Sequence, residues 1–375
     1  MIKFWSYKRE LTKYKNNLNK QINNSLNSGN IFFGDQLNLF EKRFILKNKS
    51  KYGIAVGSGT DALLIALKAL EIKKGDEVIT ASNTAIPTIS AIINSGAYPR
   101  LVDVGEDYLI DVKKIQKEIN SKTKAIIPVH LYGQSCNMRE IIKIAKKNKI
   151  EIVEDCAQSQ GAKYKNKFTG TFGKFGCFSF YPTKILGAYG DGGFILTNSF
   201  ESYKKIKRLR FYGIETVDKK NKFMNKYYSN ENGYNSRLDE IQASILNFKL
   251  QKVDYFIKQR RKLVNHYLKE LRETSLKLPI ENKDCKHVYH LFTIYHKKAK
   301  LIMKNLKRYK IETRVIYPYP IHKMKAYKNY KFKIKNLKKS EIFSKGIICL
   351  PLYPELKIKE VKLICNKLKK VLETI

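Results

Sequence analysis

One lysine lies on a loop between two runs of strand-forming residues, and this feature limits the possible folds more than any other. Lys174–Phe180 is apolar and aromatic, Phe194–Thr197 is β-prone, and Lys184 lies between them on a loop bounded by glycines. The two runs predict buried strands, and an ammonium group beside buried strands costs free energy unless it is used. We therefore expect Lys184 to be a functional residue.

A lysine in this setting is suited to forming a Schiff base, and pyridoxal phosphate offers the aldehyde for it. Ile150–Val153 predicts a short buried strand that continues into Glu154 and Asp155, and open α/β sheets bind ligands at such strand ends. We assign Asp155 to the pyridine nitrogen, because a nearby carboxylate keeps that nitrogen protonated. Gln158 could donate to the ring hydroxyl oxygen. The alternative is that Glu154 and Asp155 only cap the next helix.

A candidate phosphate site lies near the N-terminal end of the chain. Gly57–Thr60 separates a predicted strand, Tyr52–Val56, from a predicted helix, Ala62–Leu70, and backbone amides at a helix N-terminus bind anions. The segment also fits the Gly-x-Gly-x-x-Ala pattern of dinucleotide-binding folds. That fold needs an acidic residue at the end of the next strand, and none closely follows Val78–Ala81. A dinucleotide-dependent oxidoreductase is therefore the weaker alternative.

Six motifs occur in order along nearly the whole chain. They are Gly57–Leu63, Pro128–Gln134, Glu154–Gln158, Ser179–Lys184, Gly233–Ala243 and Pro351–Leu356. Together they resemble the sugar aminotransferases of the DegT/DnrJ/EryC1/StrS group. The resemblance implies an α/β fold like that of aspartate aminotransferase, fold type I of the pyridoxal-phosphate enzymes. Its large domain has a mostly parallel mixed sheet flanked by helices, and its smaller C-terminal domain is α+β.

The resemblance also implies roles for individual residues. Lys184 would carry pyridoxal 5′-phosphate covalently and act as general acid and base. Asp155 would pair with the pyridine nitrogen, and Gln158 would contact the ring hydroxyl. Three residues would hold the phosphate: Gly59, Thr60 and Ser179.

Two further positions bear on how the cofactor is held. By the resemblance, Asn235 would reach the phosphate from a second subunit, which implies a homodimer with shared active sites. Many members of the group stack an aromatic residue on the cofactor ring after an Asn-Thr pair, but Ala85 follows Asn83-Thr84 here. The stacking residue is therefore open, and Tyr132 is one aromatic ring that could cover that face.

The substrates implied by the resemblance are a nucleotide-diphosphate keto-hexose and glutamate as amino donor. Pro128–Gln134 looks more like members that aminate C3 than like those that aminate C4, so we expect a 3-keto, dTDP-linked 6-deoxyhexose, with a 4-keto sugar as the alternative. Tyr181, Arg237 and His322 are the candidate sugar-binding residues. Each also has a structural interpretation: a core tyrosine, a salt-bridged arginine and a structural histidine.

Length and composition agree with a two-domain enzyme. The chain has 375 residues and 43% hydrophobic content, which excludes the disordered class. We expect an N-terminal arm and large domain over residues 1–245, and a linking helix and small domain over residues 246–375. Glu240–Arg272 predicts that linking helix. The final helix is predicted from four apolar residues on one face, Val361, Ile364, Leu368 and Val371.

The net charge of +41 raises a third hypothesis, a basic binding protein without catalytic activity. The lysines are scattered and no nucleic-acid motif stands out, so we expect no nucleic-acid partner. The six cysteines contain no Cys-x-x-Cys pair and predict a reduced, cytoplasmic protein. The dispersed histidines indicate no metal site. Met1–Asn30 lacks an apolar run, so we expect neither a signal peptide nor a membrane segment.

Overall fold

The computed structural model describes residues 1–215, 228–330, 332 and 337–375. Its first 200 residues contain the strands of the main sheet and a short hairpin. In chain order the strands are β1 Tyr52–Val56, β2 Glu77–Ala81, β3 Tyr98–Val102, β4 Thr123–Ile127, β5 Glu151–Asp155, β6 Lys163–Tyr164, β7 Lys167–Phe168, β8 Phe175–Ser179 and β9 Gly193–Thr197.

Seven of these strands form one mixed sheet in the order β1-β9-β8-β5-β4-β2-β3. The five strands from β8 to β3 run parallel, and β9 pairs antiparallel with both β8 and β1. Helices on both faces bury a sheet of this kind, so its strands are apolar throughout rather than alternating. All five residues of β9 are buried, and so are the last four of β1, β2 and β5.

Nine helices accompany this sheet within the described residues up to Leu271. They are α1 Tyr7–Asn27, α2 Asp35–Asn48, α3 Gly59–Ala69, α4 Ile86–Asn94, α5 Val112–Glu118, α6 Met138–Asn148, α7 Phe200–Leu209, α8 Glu240–Leu250 and α9 Val253–Leu271. Short 3₁₀ turns occur at Leu131–Gly133, Ile321–Lys323 and Lys325–Tyr327. The strand–helix alternation agrees with the α/β fold that the sequence predicts.

A second, smaller layer follows α9. Its elements are β10 Cys285–Lys286, β11 Phe292–Tyr295, α10 Ala299–Arg308, α11 Lys338–Gly346, β12 Ile347–Leu350 and α12 Ile358–Glu373. β11 and β12 pair antiparallel, while β10 joins the β6–β7 hairpin. The four apolar residues predicted for one face of the final helix are all buried in the core of this layer. That prediction is confirmed.

The predicted single helix over Glu240–Arg272 is wrong in one respect. α8 ends at Leu250 and α9 starts at Val253, with a turn between them in which the Lys252 amide donates to the Lys249 carbonyl. No glycine or proline marks the break in the sequence. It separates a helix that packs on α1 and α2 from one that packs on α12, so tertiary packing decides its position.

The division into two domains stays a prediction. Its boundary at residues 245 and 246 falls inside α8. The N-terminal arm contacts both layers, because α1 packs on α8 while Ile2 pairs with Ile311 in the core of the small layer. Among the described residues, no helix is both long and apolar enough to cross a membrane.

Candidate active site

The candidate site lies where the parallel strands β4, β5 and β8 end, in front of the N-terminus of α3. The predicted strand leading into Glu154 and Asp155 is β5, and it includes both acids. Asp155 is in register with Cys177 on β8 and forms a parallel bridge to Val129 after β4. The carboxyl ends of neighbouring parallel strands thus place this aspartate at the edge where such sheets bind ligands.

The Asp155 carboxylate is buried but has hydrogen-bond donors. Its Oδ1 accepts from the Ala157 amide at 3.1 Å, and its Oδ2 accepts from the Thr88 hydroxyl at 2.8 Å. Burial raises the pKa of Asp155, while these two bonds and the nearby Lys184 charge oppose the rise. A cation held against this carboxylate would lower that pKa, so the site favours a positively charged group.

Lys184 lies opposite Asp155 on the loop between β8 and β9. Its backbone amide donates to the Tyr181 carbonyl at 2.8 Å, which closes a turn directly after β8. Burial lowers the pKa of the Lys184 amine from 10.5 to about 8, and Asp155 partly offsets this effect. Among the described residues the amine forms no hydrogen bond or ion pair. An amine with this pKa is partly deprotonated near neutral pH and can act as a nucleophile.

The first turn of α3 faces the end of β8 and forms an anion cradle. Ser58 caps the helix by accepting from the Asp61 amide at 3.1 Å, which leaves the Gly59 and Thr60 amides at the open N-terminus. A Cβ on Gly59 would lie 2.6 Å from the Ser179 Cβ, so only glycine allows this approach. The helix amides and the Ser179 hydroxyl therefore converge at one point.

Gln158 is held between two tyrosines. Its Oε1 accepts from the Tyr132 amide at 2.8 Å, and its Nε2 donates to the Tyr317 hydroxyl at 2.7 Å. Both tyrosines have positive φ, 58° for Tyr132 and 64° for Tyr317, which is uncommon for bulky residues and often occurs at functional sites. Gln158 keeps a second Nε2 hydrogen with which it can donate to a ligand.

Asn235 lies on a segment that is fixed near the anion cradle. The neighbouring Ser236 hydroxyl accepts from the Gly57 amide at 2.9 Å and donates to Asp61 at 2.7 Å. The Asn235 backbone bridges to Phe211, but its side chain is exposed and forms no hydrogen bond within the described part of the chain. Its amide is thus free to contact another molecule.

The three candidate sugar-binding residues occupy different settings. Tyr181 is 53% exposed, so it is not a core residue. The Arg237 guanidinium lies over the Phe32 ring at 4.1 Å, a cation–π contact, and within the described residues it forms no salt bridge. His322 is buried, and its Nε2 lies 2.9 Å from Glu341 while its Nδ1 has no partner among the described residues.

Neither Ala85 nor Tyr132 supplies an aromatic ring over the cofactor position. Ala85 precedes the first turn of α4 as its N-cap and offers no ring. The Tyr132 ring is buried edge-on against Tyr108, with centroids 5.9 Å apart, and its hydroxyl points to the Ile316 carbonyl. Tyr132 therefore packs into the protein core through its ring and serves the site through its backbone.

Sequence reasoning missed several groups around this site. Thr88 donates to Asp155 from α4, and Tyr317 reaches Gln158 from a segment 159 positions away. The Asn83 side-chain amide is buried with neither atom hydrogen-bonded to any described residue. An unpaired buried amide is rare in proteins, and this one directly follows Ser82 beyond the end of β2. No local pattern marks these residues, because their roles arise from contacts between distant segments.

His130, Glu154 and Cys156 form a buried cluster with metal-ligand chemistry, but the structure supplies their partners. His130 Nδ1 accepts from the Cys136 amide, and its Nε2 donates to Glu154 at 3.0 Å. Three backbone amides complete the Glu154 shell; they belong to Gly170, Phe172 and Gly173. These bonds give the cluster a structural role in holding the 170–173 loop.

The described residues fit pyridoxal phosphate by their chemistry. The cofactor has an aldehyde, a basic ring nitrogen and a phosphate, and the site presents a free amine on Lys184, a buried carboxylate on Asp155 and a cradle that only glycine permits at position 59. When bound, this cofactor supplies an electron sink and carries an amino group between donor and acceptor. The Lys184 amine can take up and release the proton that such a transfer moves.

Fold and site together define an aminotransferase of the pyridoxal-phosphate type. The family model for the DegT/DnrJ/EryC1/StrS aminotransferase family matches residues 12–369. The chain belongs to this family, whose aminotransferases use pyridoxal phosphate, and similar solved structures hold that cofactor or its aminated form. The fold class, the enzyme class and the cofactor expected from the sequence are thus confirmed.

Similar proteins include two curated transaminases. The chain is 37% identical over 329 residues to dTDP-3-amino-3,4,6-trideoxy-alpha-D-glucose transaminase of Micromonospora megalomicea subsp. nigra, covering 86% of each chain. It is 39% identical over 332 residues to dTDP-3-amino-3,6-dideoxy-alpha-D-galactopyranose transaminase of Aneurinibacillus thermoaerophilus, covering 88% of this chain and 89% of the relative. A crystal structure of DesV from S. venezuelae superposes with a TM-score of 0.94 and is 32% identical in sequence; the match covers 100% of this chain and 99% of DesV.

These findings decide against the two other hypotheses. A dinucleotide-dependent oxidoreductase needs an acidic residue at the end of β2, but Ser82 occupies that position. The family assignment, which includes Gly57–Thr60, identifies the chain as an aminotransferase instead. The basic binding protein without catalytic activity is also excluded by that assignment.

Proposed function

We propose that this enzyme transfers the amino group of glutamate to a 3-keto, dTDP-linked 6-deoxyhexose. The buried pair of Lys184 and Asp155, facing the anion cradle of α3, carries the proposal for transamination. The choice of substrate is supported by the two curated relatives, both named as transaminases of dTDP-linked 3-amino sugars. The scattered positive charge of the chain favours an anionic sugar nucleotide.

The residue roles follow from the chemistry of the site. Lys184 binds the cofactor covalently and then moves the substrate proton as a general acid and base. Asp155 pairs with the positively charged ring nitrogen, and Gln158 uses its remaining Nε2 hydrogen to contact the ring hydroxyl. The phosphate is held by the groups of the anion cradle, Gly59, Thr60 and Ser179.

The same proposal includes a homodimer. The Asn235 side chain is exposed and unbonded within the described residues, although its backbone is fixed between Phe211 and Ser236. A donor on a rigid segment with no intramolecular partner is suited to reach a second molecule. We assign Asn235 to the phosphate of the partner subunit's cofactor, so that each site is complete only in the dimer.

The sugar-nucleotide side of the site is assigned to Tyr181, Arg237 and His322. Tyr181 is exposed and lies two residues after Ser179, the last residue of β8, and we assign its phenol to the mouth of the cofactor site. The Arg237 guanidinium packs on Phe32, and a guanidinium suits binding of a diphosphate. His322 has one buried nitrogen without a partner in the described residues, which suits a sugar hydroxyl. A cytoplasmic location is part of this proposal, since all five cysteines other than Cys285 are buried thiols of the kind that stay reduced there.

The first test is the visible absorbance of the purified enzyme before and after glutamate is added. We expect a yellow band that bleaches with glutamate in the wild type and is absent or changed in Lys184→Ala. Lys174→Ala is the matched control, because Lys174 lies just before β8, at the end opposite the site. A wild type that stays colourless after incubation with pyridoxal phosphate would contradict the proposal.

The second test is a panel of keto-sugar nucleotides. Amination of a 3-keto dTDP-sugar, measured by mass of the product, is expected. Turnover of 4-keto substrates alone would show that the 3-keto assignment is wrong while leaving the transaminase intact.

A further inference from the structure

Asp103 is a buried carboxylate at the carboxyl end of β3, and the proposed reaction assigns it no role. It directly follows Val102, the last residue of β3, and is only 1% exposed. Burial by itself raises the pKa of Asp103, but hydrogen bonds from Ser340, Lys339 and Val104 outweigh this effect and lower the pKa. Asp103 is therefore ionised at neutral pH, and its side chain can only accept hydrogen bonds.

The Asp103 carboxylate caps α11 from outside the helix. Leu337, the N-cap residue of α11, makes no side-chain capping bond. In its place Asp103 Oδ1 accepts from the Ser340 amide at 2.8 Å, and Oδ2 accepts from the Lys339 amide at 3.1 Å. Both amides belong to the first turn, where a helix leaves its N–H groups without internal partners. A residue of the main sheet thus fixes the start of a helix of the small layer.

The same cap also fixes the backbone beside His322. The Ser340 hydroxyl donates to Asp103 Oδ1 at 2.6 Å, so its oxygen is left to accept from the Ser82 hydroxyl at 2.5 Å. The Ser82 carbonyl accepts from the Ile321 amide at 3.0 Å. Ile321 directly precedes His322, so the main chain at His322 is tied to the ends of β2 and β3.

The imidazole of His322 is held by the residue that follows Ser340. Glu341 Oε1 lies 2.9 Å from His322 Nε2 and 3.1 Å from Lys323 Nζ. Hydrogen bonds from His322 and Lys323 lower the pKa of Glu341, so Glu341 is a carboxylate that can only accept. His322 Nε2 must then carry a proton. In the neutral ring Nδ1, which has no partner within the described residues, is the acceptor.

We propose that Asp103 is a positioning residue for the sugar-nucleotide half of the reaction. By capping α11 it sets the place of Glu341, and Glu341 gives His322 the tautomer in which Nδ1 accepts from a sugar hydroxyl. The inference rests on the sugar-binding role proposed for His322. Within the described residues, the hydrogen bonds from Asp103 to His322 do not involve Lys184, Asp155 or the anion cradle. The glutamate half of the reaction is therefore independent of them.

The first test measures the two half-reactions of the holoenzyme separately by stopped-flow absorbance, with glutamate and then with a 3-keto dTDP-sugar. Asp103→Asn keeps the shape of the side chain but turns one acceptor oxygen into a donor. We expect it to lower kcat/KM for the sugar about tenfold, the effect of one lost hydrogen bond. The rate with glutamate is expected to equal that of the wild type. Should Asp103→Asn fail to fold, Glu341→Ala makes the same test, because Glu341 lies near the surface.

Asp111→Asn is the matched control, because Asp111 caps a different helix, α5, through the Lys113 amide at 3.1 Å. Loss of that cap is expected to leave both half-reactions unchanged. A wild-type kcat/KM for the sugar in Asp103→Asn and Glu341→Ala would overturn the inference. So would an equal fall with glutamate and with the sugar, because the effect would then be a general disturbance of the enzyme.

A second measurement needs no substrate. The ¹⁵N shifts of the His322 ring, assigned with a His322→Gln variant, report which nitrogen carries the proton. We expect a proton on Nε2 in the wild type and a mixture of tautomers in Asp103→Asn and Glu341→Ala; the same single tautomer in all three would overturn the inference. If the wild type converts no 3-keto sugar nucleotide, the proposed function fails, and this spectrum still decides whether Asp103 positions His322.

Discussion

Replacing Glu154 by glutamine tests how β5 is held behind the site. Both carboxylate oxygens of Glu154 are fully used: Oε1 accepts from two backbone amides at 2.7 and 2.8 Å, and Oε2 accepts from a backbone amide at 2.8 Å and from His130 at 3.0 Å. The residue is completely buried. Glutamine has the same shape but presents one oxygen and one NH₂ group, so two of the four donors would face another donor.

The expected loss of stability follows from the number of donors that lose their acceptor. His130 cannot change tautomer without loss, because its Nδ1 already accepts from the Cys136 amide. Two buried N–H groups therefore lose their partners, and each costs about 1–3 kcal/mol. We expect Glu154→Gln to lower the free energy of unfolding by roughly 2–6 kcal/mol, a total that follows directly from two such groups.

The assay is equilibrium unfolding in urea of the cofactor-loaded enzyme, at one fixed protein concentration because ligand and subunit binding both shift apparent stability. Glu151→Gln is the matched control, since Glu151 is exposed at the start of the same strand and a change there is expected to stay within about 0.5 kcal/mol. A loss for Glu154→Gln no larger than that of the control would refute the reasoning from hydrogen bonds.

Three further predictions concern the site itself. Thr88→Val removes the donor to Asp155 Oδ2, so the pKa of Asp155 is expected to rise and the acid limb of kcat/KM to move to higher pH; an unchanged limb would contradict this. Gly59→Ala places a Cβ 2.6 Å from Ser179. The affinity for pyridoxal phosphate, measured by fluorescence titration, is therefore expected to fall at least tenfold, or about 1.4 kcal/mol of binding free energy. An affinity near that of the wild type would argue against the anion cradle. Burial lowers the pKa of Lys184 to about 8. The rate of the glutamate half-reaction, followed by stopped-flow absorbance, is therefore expected to increase as pH rises through that value and then to level off. A rate independent of pH would argue against a free amine acting as base.

The sequence alone determined the fold class and the central chemistry of this protein. The strands around Lys184 and before Asp155, and the glycine turn before α3, are local features that hydrophobic runs and turn residues reveal. The structure places each of them as predicted, with β5 ending in Asp155 and Ser179 ending β8. The sequence could predict these positions because a parallel sheet brings the carboxyl ends of its strands to one edge, whatever the connections between the strands.

Tertiary structure alone decided how the site is completed. Thr88 reaches Asp155 across 67 positions, and Tyr317 reaches Gln158 across 159; no local pattern encodes such pairs. The break between α8 and α9 lacks a glycine or proline signal, because each helix follows the surface on which it packs. Local sequence patterns determine which helices and strands form. Which side chains are buried, and which hydrogen-bond partners they find, depends on segments that are distant in the chain.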